Sequence, residues 1–471
     1  MSENVPAITP KSIPWLENLN ADPSALQALT AEYGSPLHLH HVAPFTDNVA
    51  ELVDAAQATG VDLDVYFARK ANKALCYVHA AVGAGIGIDL ASGEELDQAL
   101  RSGADPARLV VTSAIKPDDL LRTCLDHGVL VALDNHDEAV RYATMARGVG
   151  RRAPVAVRLS NFDFEHDRSG PSRFGFDIGD PDLVERIARY ANDLDVDGLH
   201  FHLDGYAAGD RVEALAATMR LHDRLVQRDI AIGFIDMGGG FPMTYTDRVD
   251  EWSSFWDTLD DALTGQRPPI TYRNDGYGQL VVDGRVVGPR LAYPHHQTPV
   301  GGSWLGEILR STPADGEAGT IARRLADRRL RLRCEPGRAL LDGCGASIAT
   351  VVHVKPLGDD LLVALDMNSS NCRTQKSELM TDPYHVPLVR GGPAPCTGYV
   401  TGAYCSESDL ITRRLLRFGR PPARGDLVVF PNTAGYFMHF TESRSHQFPL
   451  PRNVVAPLDG GDWTLDDIDR S

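Results

Sequence analysis

The sequence predicts an α/β protein, with a (β/α)8 TIM barrel followed by an antiparallel β-domain. Between residues 60 and 340, short apolar runs alternate with amphipathic stretches of helical period. Eight such runs occur, which is the number that a closed parallel barrel needs. After about residue 340 the pattern changes to period-two alternation interrupted by Gly and Pro, which is typical of antiparallel strands.

The apolar runs and the amphipathic stretches alternate along the chain in a fixed order. The eight predicted barrel strands are Asp64–Arg69, Gly85–Asp89, Leu109–Ser113, Val129–Asp134, Pro154–Ser160, Gly198–Leu203, Ala231–Met237 and Arg331–Cys334. Helices are predicted at Asp47–Thr59, Gly93–Arg101, Lys116–Asp126, His136–Arg147 and Asp182–Asn192.

A long segment interrupts the repeat between the seventh and eighth strands. We predict an insertion at about 243–328, with helices at Glu251–Leu263 and Gly319–Ala326 and a Gly-rich section between them. The barrel is then expected to span residues 43–340. Residues 1–42 and 341–471 are expected to form one β-domain, because the strand-like run "GSPLHLHH" near the start can pair with the later sheet. Strands of that sheet are predicted at Ala346–Lys355, Leu361–Met367, Gly398–Cys405 and Asp426–Phe430.

Charge and cysteine content limit the classes of partner. The formal net charge of −18 argues against nucleic acid and against an anionic membrane surface as partner. No apolar run approaches the roughly 20 residues that cross a bilayer. The seven cysteines stand at scattered spacings without a CxxC pair, and no apolar signal segment precedes them. We therefore expect a cytoplasmic protein without disulfides.

Several chemically active side chains fall at the predicted strand ends. Catalytic groups of (β/α)8 barrels lie at the C-terminal ends of the strands, so these side chains are expected to share one rim. They are Lys70, Asp89, Ser113, Lys116, Asp134, Arg158, His200, His202, Asp236 and Glu335.

The run "IDMGGGFP" provides a candidate phosphate site. Backbone N–H groups turn toward an anion only where side chains do not obstruct them, which suits Gly238, Gly239 and Gly240. Arg338, in the eighth loop "EPGR", is placed to bind the same phosphate with two hydrogen bonds. Taken singly, the glycines also fit a tight turn and Arg338 an ordinary ion pair. The two loops together favour a bound phosphate group.

The run "HFHLDG" sends His200 and His202 to the same face of a strand. Such a pair is able to hold zinc in a hydrolase barrel, although zinc barrels carry the pair on the first strand with further ligands on later strands. A neutral histidine that stacks on a flat ring is the second reading. A core histidine with its hydrogen bonds satisfied is the third.

A phosphate group, a flat ring, a lysine and a buried carboxylate together match the needs of pyridoxal 5′-phosphate. A lysine amine forms a Schiff base with its aldehyde, and a carboxylate keeps its ring nitrogen protonated. Lys70 and Glu335 are the candidates for these two roles. No metal is required in this reading.

Six motifs, in order over residues 60–440, resemble those of fold-type III pyridoxal phosphate enzymes, in the diaminopimelate, ornithine and arginine decarboxylase branch. Alanine racemases share the barrel but place a catalytic Tyr where this chain has a Cys motif. The six motifs are "YFARKAN", "GLHFHLDG", "DMGGGFP", "CEPGRAL", "TGAYCSESD" and "NTAGYFM".

The resemblance implies a role for each matched residue. Lys70 is the Schiff-base lysine, His202 stacks on the ring with Asp89 and Arg158 in support, and Glu335 pairs with the ring nitrogen. The phosphate ligands are Gly238, Gly239, Gly240, Arg338 and Tyr436. Cys405 is the general acid and reaches in from the partner subunit of a head-to-tail homodimer. The implied reaction is removal of the α-carboxylate of an amino acid. An amino-acid racemase and a non-catalytic regulator are the alternatives.

Two departures from the family pattern concern the cofactor and the substrate. The family serine that binds phosphate is Gly205 here, and Tyr206 is a candidate replacement. The acidic residue after the catalytic Cys is Ser406 here, and Glu407, one step later, is expected to face the other side of a strand. A modified, conjugated or carrier-tethered amino acid is therefore the expected substrate. Candidate substrate-binding residues are Arg373, Tyr384, Ser406 and Glu407, with Asn368 as a weaker one.

Overall fold

A computed structural model describes residues 5–164, 170–374, 377–388, 394–457 and 461–470. Eight parallel strands form a closed barrel, because each pairs with the next in the chain and the last pairs back with the first. The predicted (β/α)8 barrel is confirmed. The barrel strands are Leu63–Ala68, Gly87–Leu90, Leu109–Val111, Leu130–Leu133, Ala153–Ser160, Leu194–Phe201, Phe234–Asp236 and Arg331–Cys334.

Helices follow the strands and cover the outside of the barrel. Their starts follow the capping residues: the side chains of Ser92 and Asn135 accept hydrogen bonds from the third backbone N–H of their helices. Gly128 and Gly150 end two helices in the left-handed conformation. The helices are Ala43–Gln57, Leu75–Gly83, Gly93–Arg101, Asp118–His127, His136–Val149, Leu183–Tyr190, Ala208–Val226, Gly301–Arg310 and Ile321–Asp327.

The insertion between the seventh and eighth strands ends earlier than the predicted residue 328. The helix Gly301–Arg310 packs against Ala43–Gln57 and Ala208–Val226, so it belongs to the outer ring of the barrel. Its apolar face, which includes Leu305 and Ile308, lies in the barrel core. The added segment therefore comprises the helix Val249–Leu263, the hairpin Leu280–Val282 with Arg285–Val287, and the chain up to about residue 300.

The remaining strands form one β-domain. Most of its pairs are antiparallel, but Leu37–His40 runs parallel to Arg452–Val455, and Asp360–Leu365 runs parallel to Cys396–Thr401. The run near the start of the chain pairs with the long strand Gly345–Leu357. The other strands are Tyr384–Val386, Leu416–Phe418, Leu427–Pro431 and Thr464–Leu465, and two helices, Pro14–Asn20 and Pro23–Tyr33, precede the sheet.

The insertion ties the barrel to the β-domain of the same chain. Its residues Met243, Tyr245 and Tyr293 lie in the apolar core of the β-domain. Trp256, on its helix, lies in a second cluster with Ile8 and Met380. Within the described ranges, no helix has both the length and the apolar character needed to cross a bilayer.

Candidate active site

Lys70 follows the first barrel strand in a short 3-10 turn, Arg69–Ala71. Its Nζ donates to Asp89 Oδ2 at 2.8 Å, and 32% of its side chain is exposed whereas Asp89 is buried. Burial alone would lower the pKa of Lys70, but the nearby charges of Asp89, Tyr436 and Glu335 outweigh it and raise this pKa above its usual value. Without a bound carbonyl compound, Lys70 is therefore an ammonium held by Asp89.

A chain of hydrogen bonds continues from Asp89 around the rim. Thr112 Oγ1 donates to Asp89 Oδ1 at 2.5 Å. Arg158 donates to the Thr112 carbonyl at 3.2 Å and to Asp134 Oδ1 at 3.1 Å. The Asp134 N–H donates to Glu138, which also accepts from Lys116 Nζ at 3.0 Å. Strand ends two to five are thus joined by one polar network, and several of its members were predicted to share this rim.

His202 directly follows the sixth barrel strand and lines the cavity. Its Nδ1 accepts a hydrogen bond from the backbone N–H of Gly239 at 3.1 Å. A ring nitrogen that accepts carries a lone pair, so any ring proton is on Nε2 and the imidazole is neutral. This geometry fixes the ring over the glycine loop and suits stacking on a flat ligand.

Glu335 follows the eighth strand and lies beneath the cavity with His200 and Asp236. The three residues are almost fully buried, and His200 Nε2 is 3.5 Å from Glu335 Oε2. Burial lowers the pKa of His200 to about 4 and raises the pKa of both carboxyl groups; the charge of Glu335 raises the pKa of Asp236 further, and the charge of Asp89 that of Glu335. Apart from its contacts with Asp236 and His200, neither carboxylate oxygen of Glu335 has a hydrogen-bond donor among the described residues. A buried acceptor without a donor marks the place for a proton-bearing ligand atom.

A divalent cation is the other ligand that this buried cluster suggests, since His200, Asp236 and Glu335 bring their ligand atoms within 4.8 Å of one another. The positive charges of Lys70 and Arg158 act on Glu335 and oppose a second cation there. A protonated ring nitrogen needs one acceptor and little space. We therefore favour the ring over the metal.

The loop Gly238–Gly240 follows the seventh strand and has no room for side chains. A Cβ atom on Gly239 would lie 2.8 Å from the Glu335 carbonyl oxygen and 3.1 Å from the His202 ring. Gly238 and Gly240 have φ angles of +65° and +79°, which strain other residues. The loop therefore presents backbone rather than side chains to the cavity at Gly239 and Gly240. Because the N–H groups of Gly238 and Gly239 donate to Asp236 and His202, the N–H of Gly240 is the one of the three that can bind a phosphate.

Arg338 faces this loop among four tyrosines. Its guanidinium donates to the Tyr245 hydroxyl at 2.7 Å and lies 4.2 Å from the centre of the Tyr293 ring. Tyr206 packs edge-on against Tyr293, and Tyr436 is held with φ of +70° by its N–H bond to the Ala71 carbonyl. The phenols of Tyr206 and Tyr436, which line the cavity, and the guanidinium offer hydrogen-bond donors for a phosphate group.

One cavity of about 420 Å³ is lined by the glycine loop, Arg338, Tyr206, Tyr436, Glu335 and His202. Lys70 is not among the lining residues, but the charges of Tyr436 and Glu335, which are, act on its amine. The Glu335 carboxylate would accept a pyridine N–H, and the glycine loop with Arg338 would hold a phosphate. The residues present therefore fit pyridoxal 5′-phosphate.

The structure does not bring the predicted substrate residues into this cavity. Tyr384 packs instead in the β-domain core with the N-terminal helices. Arg373 lies next to the lining residue Thr374, and its own N–H donates to the Phe437 carbonyl. Cys405 is exposed and lies outside the cavity lining.

The orientation predicted for Ser406 and Glu407 is wrong because the strand ends at Thr401. The Asp409 carboxylate accepts from the N–H groups of Tyr404 and Ser369, both at 2.8 Å, and folds the following residues into a turn. Strand alternation therefore does not apply here. Glu407 accepts hydrogen bonds from the Tyr272 hydroxyl and the Arg273 guanidinium of the insertion.

Sequence reasoning missed the wall of the cavity that the insertion and the β-domain supply. No motif marks these residues, because their position depends on how the insertion folds back over the barrel. They are Arg290, Leu291, Ala292, Tyr293, Pro294, Thr374, Ser377 and Phe440.

Comparisons with known proteins point to one family of enzymes. The pyridoxal-binding domain of pyridoxal-dependent decarboxylases matches residues 46–266. An uncharacterised protein of Sinorhizobium fredii, y4yA, is 32% identical over 91% of this chain and 90% of its own length. A probable chloroplastic diaminopimelate decarboxylase of Oryza sativa is 28% identical over 91% of this chain and 76% of its own.

Further similarity is partial in sequence but extensive in fold. The diaminopimelate decarboxylase of Pseudomonas aeruginosa is 28% identical over 49% of this chain, and the match spans only 57% of that enzyme. The crystal structure of diaminopimelate decarboxylase from M. jannaschii with L-lysine has a TM-score of 0.69, at 17% identity over 93% of this chain and 90% of that one. The chain therefore belongs to the fold-type III family of pyridoxal phosphate-dependent decarboxylases, and pyridoxal 5′-phosphate is its cofactor.

Proposed function

We propose that this protein removes the α-carboxylate of an amino acid, and that the natural substrate is not a free diamino acid. The observation that carries the proposal is a cavity lined by a buried glutamate, a glycine loop and an arginine, with Lys70 close enough for the charges of the lining residues Tyr436 and Glu335 to act on its amine. Family membership supports the same reaction. The cofactor, when bound, supplies a conjugated ring that takes up the electron pair left by departing CO2.

The chain's own residues hold and orient the reactants. Lys70 Nζ would hold the cofactor aldehyde, and the Asp89 carboxylate would pair with the ammonium whenever the amine is free. Glu335 would accept a hydrogen bond from the ring nitrogen and keep a proton there. Its burial beside Asp236 and His200 would exclude water from this contact. The neutral His202 ring would stack on the cofactor ring and leave its other face to the departing carboxylate.

The proton that replaces CO2 at Cα is assigned to Cys405 of the partner subunit. Cys405 is exposed and does not line the cavity of its own chain. A head-to-tail homodimer would bring this thiol to the other subunit's cavity. None of the described cysteines lines the cavity of its own chain, which supports a general acid supplied by a second copy.

The substrate proposal rests on the residues that would read a distal ammonium group. Ser406 stands where the family has an acid, and the carboxylate of Glu407 already binds Tyr272 and Arg273, the latter at 2.7 Å. The charge that would attract the tail of ornithine or lysine is thus missing or neutralised. A modified or conjugated amino acid, including one linked to a carrier, suits this cavity better.

The test is release of labelled CO2. Holoprotein is incubated with amino acids and conjugated amino acids carrying 13C at the α-carboxylate, and the gas and product are analysed by mass spectrometry. We expect CO2 and an equimolar amine from at least one compound. Formation of a D-amino acid without CO2 would contradict the proposal, and ordinary turnover of meso-diaminopimelate would contradict its substrate part.

A further inference from the structure

Arg290 is a cation of the insertion and lines the cavity. Its guanidinium lies 4.6 Å from the centre of the Trp256 ring, which is buried and therefore fixed in place. The side chain is half-exposed and forms a long ion pair of 4.0 Å with Asp260, a distance at which no hydrogen bond is made. Stacking thus holds Arg290 in position, while its N–H donors can still bind a ligand.

Three further charged residues line the cavity, namely Asp204, Glu335 and Arg338. Glu335 and Arg338 are assigned to the ring nitrogen and the phosphate of the cofactor. Asp204 stands on the loop after the sixth strand, and its charge acts on the neighbouring Tyr206 and on Arg211. Along the wall built by residues 290–294 with Thr374 and Ser377, Arg290 is the charged lining residue.

We propose that Arg290 binds an anionic group at the end of the substrate side chain, so that the substrate is an amino acid whose tail ends in a carboxylate or a phosphate. This inference rests on the proposed decarboxylation and specifies its substrate class. A guanidinium matches either anion with paired hydrogen bonds, and it repels the ammonium tail of lysine or ornithine. The loss of the acid at Ser406 and the occupied Glu407 are consistent with the same selection.

Ligands without an amine test the anion site separately from the chemistry. Adipate carries the carboxylate, butylphosphonate represents the phosphate, and adipamide is the neutral isostere of adipate. Each is titrated by calorimetry into holoprotein, in which the cofactor already occupies the Arg338 end. We expect adipate or butylphosphonate to bind and adipamide to bind at least about 10-fold more weakly. Equal binding of adipamide and both anions would overturn the proposal.

Variants identify the residue. Arg290→Gln should weaken binding of the preferred anion about 10- to 100-fold, the range expected for hydrogen bonds to a charged group. Arg290→Lys keeps the charge but loses the paired geometry, so its affinity for the anion should lie between those of the wild type and Arg290→Gln. Arg285→Gln is the matched control, because Arg285 is an exposed arginine of the same insertion outside the cavity lining. Unchanged binding in Arg290→Gln would overturn the proposal.

Turnover separates this inference from the proposed function. L-2-aminoadipate and L-lysine have tails of similar length and opposite charge. We expect a higher kcat/KM for L-2-aminoadipate, and a loss of that preference in Arg290→Gln. If CO2 is released equally well from both compounds, the decarboxylase proposal stands and the anion site fails. If no amino acid releases CO2 while adipate still binds through Arg290, the decarboxylase proposal fails and the anion site stands.

Discussion

Lys70 has the environment of an amine reserved for covalent chemistry. A surface lysine would have a solvated ammonium, but Lys70 is held by a buried aspartate that is itself bound by Thr112. Fixed charges keep the amine oriented toward one place at the top of the first strand. If Lys70 Nζ were bound to an aldehyde, Asp89 would still lie beside that nitrogen. Asp89 would therefore be the partner of both the free and the bound amine.

Lys70→Ala should abolish covalent attachment of the cofactor, because Nζ is the only atom assigned to bind its aldehyde. The visible Schiff-base absorption should disappear, and borohydride reduction should no longer add the cofactor mass to the chain. Lys73→Ala is the control, because Lys73 lies three residues after Lys70 and forms an ion pair with Glu442 instead. A Schiff-base band that survives in Lys70→Ala would reject the assignment.

Glu335 predicts a pH dependence of the stability of the cofactor-free protein. Burial and the nearby Asp89 charge raise its pKa above the ordinary 4.5, so the folded state binds a proton that the unfolded state loses. The stabilising contribution of Glu335 to the free energy of unfolding is largest below about pH 4.5, the ordinary pKa of the group, and is lost as the pH rises through the folded pKa. Denaturant titrations from pH 5 to 9, spanning roughly this window, should show the decline.

Glu335→Gln serves as the control for this pH effect, since the amide does not titrate. The slope of stability against pH should flatten in this variant. An unchanged slope would assign the effect to other groups, of which Asp236 is the first, because its pKa is also raised by burial.

Tyr206 is the residue expected to supply the phosphate hydrogen bond that Gly205 lacks. Tyr206→Phe should weaken pyridoxal 5′-phosphate binding about 10-fold, the loss expected for one hydrogen bond to a charged group. Binding of pyridoxal, which has no phosphate, should not change. Tyr245→Phe is expected to act only through Arg338, the hydrogen-bond partner of Tyr245, so any loss should again be limited to the phosphate compound. An equal loss for both compounds in Tyr206→Phe would indicate a packing effect instead.

At the scale of elements, buried polar pairs join neighbouring βα units. The Lys116 side chain is fully buried and Glu138 nearly so, and their pair links the loop after the third strand to the helix His136–Val149. Glu138 also accepts from the Asp134 N–H, which fixes the strand end that holds Arg158. The strand end that holds Arg158 at the cofactor site therefore depends on the buried Lys116–Glu138 pair.

Glu138→Gln should destabilise the protein by about 3–5 kcal/mol, because it leaves the buried Lys116 charge unpaired. The free energy of unfolding is measured by urea titration of the holoprotein. Asp97→Asn, which breaks the exposed helix pair with Arg101, should cost no more than about 0.5 kcal/mol. Similar losses in the two variants would contradict the argument.

The barrel and its rim were predictable because both follow from local pattern. Parallel strands buried on both faces read as continuous apolar runs, and barrel topology sends every strand end to one rim. The helix Gly301–Arg310 was missed because it lies beside a long insertion, which drew the predicted boundary past it. The turn after Thr401 depends on Asp409 and the distant Ser369 N–H, a tertiary contact that period-two alternation does not encode.

At the scale of the molecule, the proposed general acid lies outside the cavity of its own chain. The cavity belongs to the barrel, the insertion and the β-domain of one chain, whereas Cys405 lies exposed on a turn outside it. The insertion reaches both, since it lines the cavity with Arg290 and binds the Cys405 turn through Arg273 and Glu407. In a two-fold dimer, each insertion would therefore contact both the cavity of its own chain and the turn that supplies Cys405 to the cavity of the other chain.

Mixed subunits test this arrangement. Lys70→Ala and Cys405→Ala homodimers should each have little activity, because every site lacks one group. Denaturing and refolding them together in equal amounts gives about half heterodimers, each with one site that has both groups, so about a quarter of the wild-type CO2 release should return. If Cys405 served its own chain, each heterodimer site would still lack one group and no activity would return.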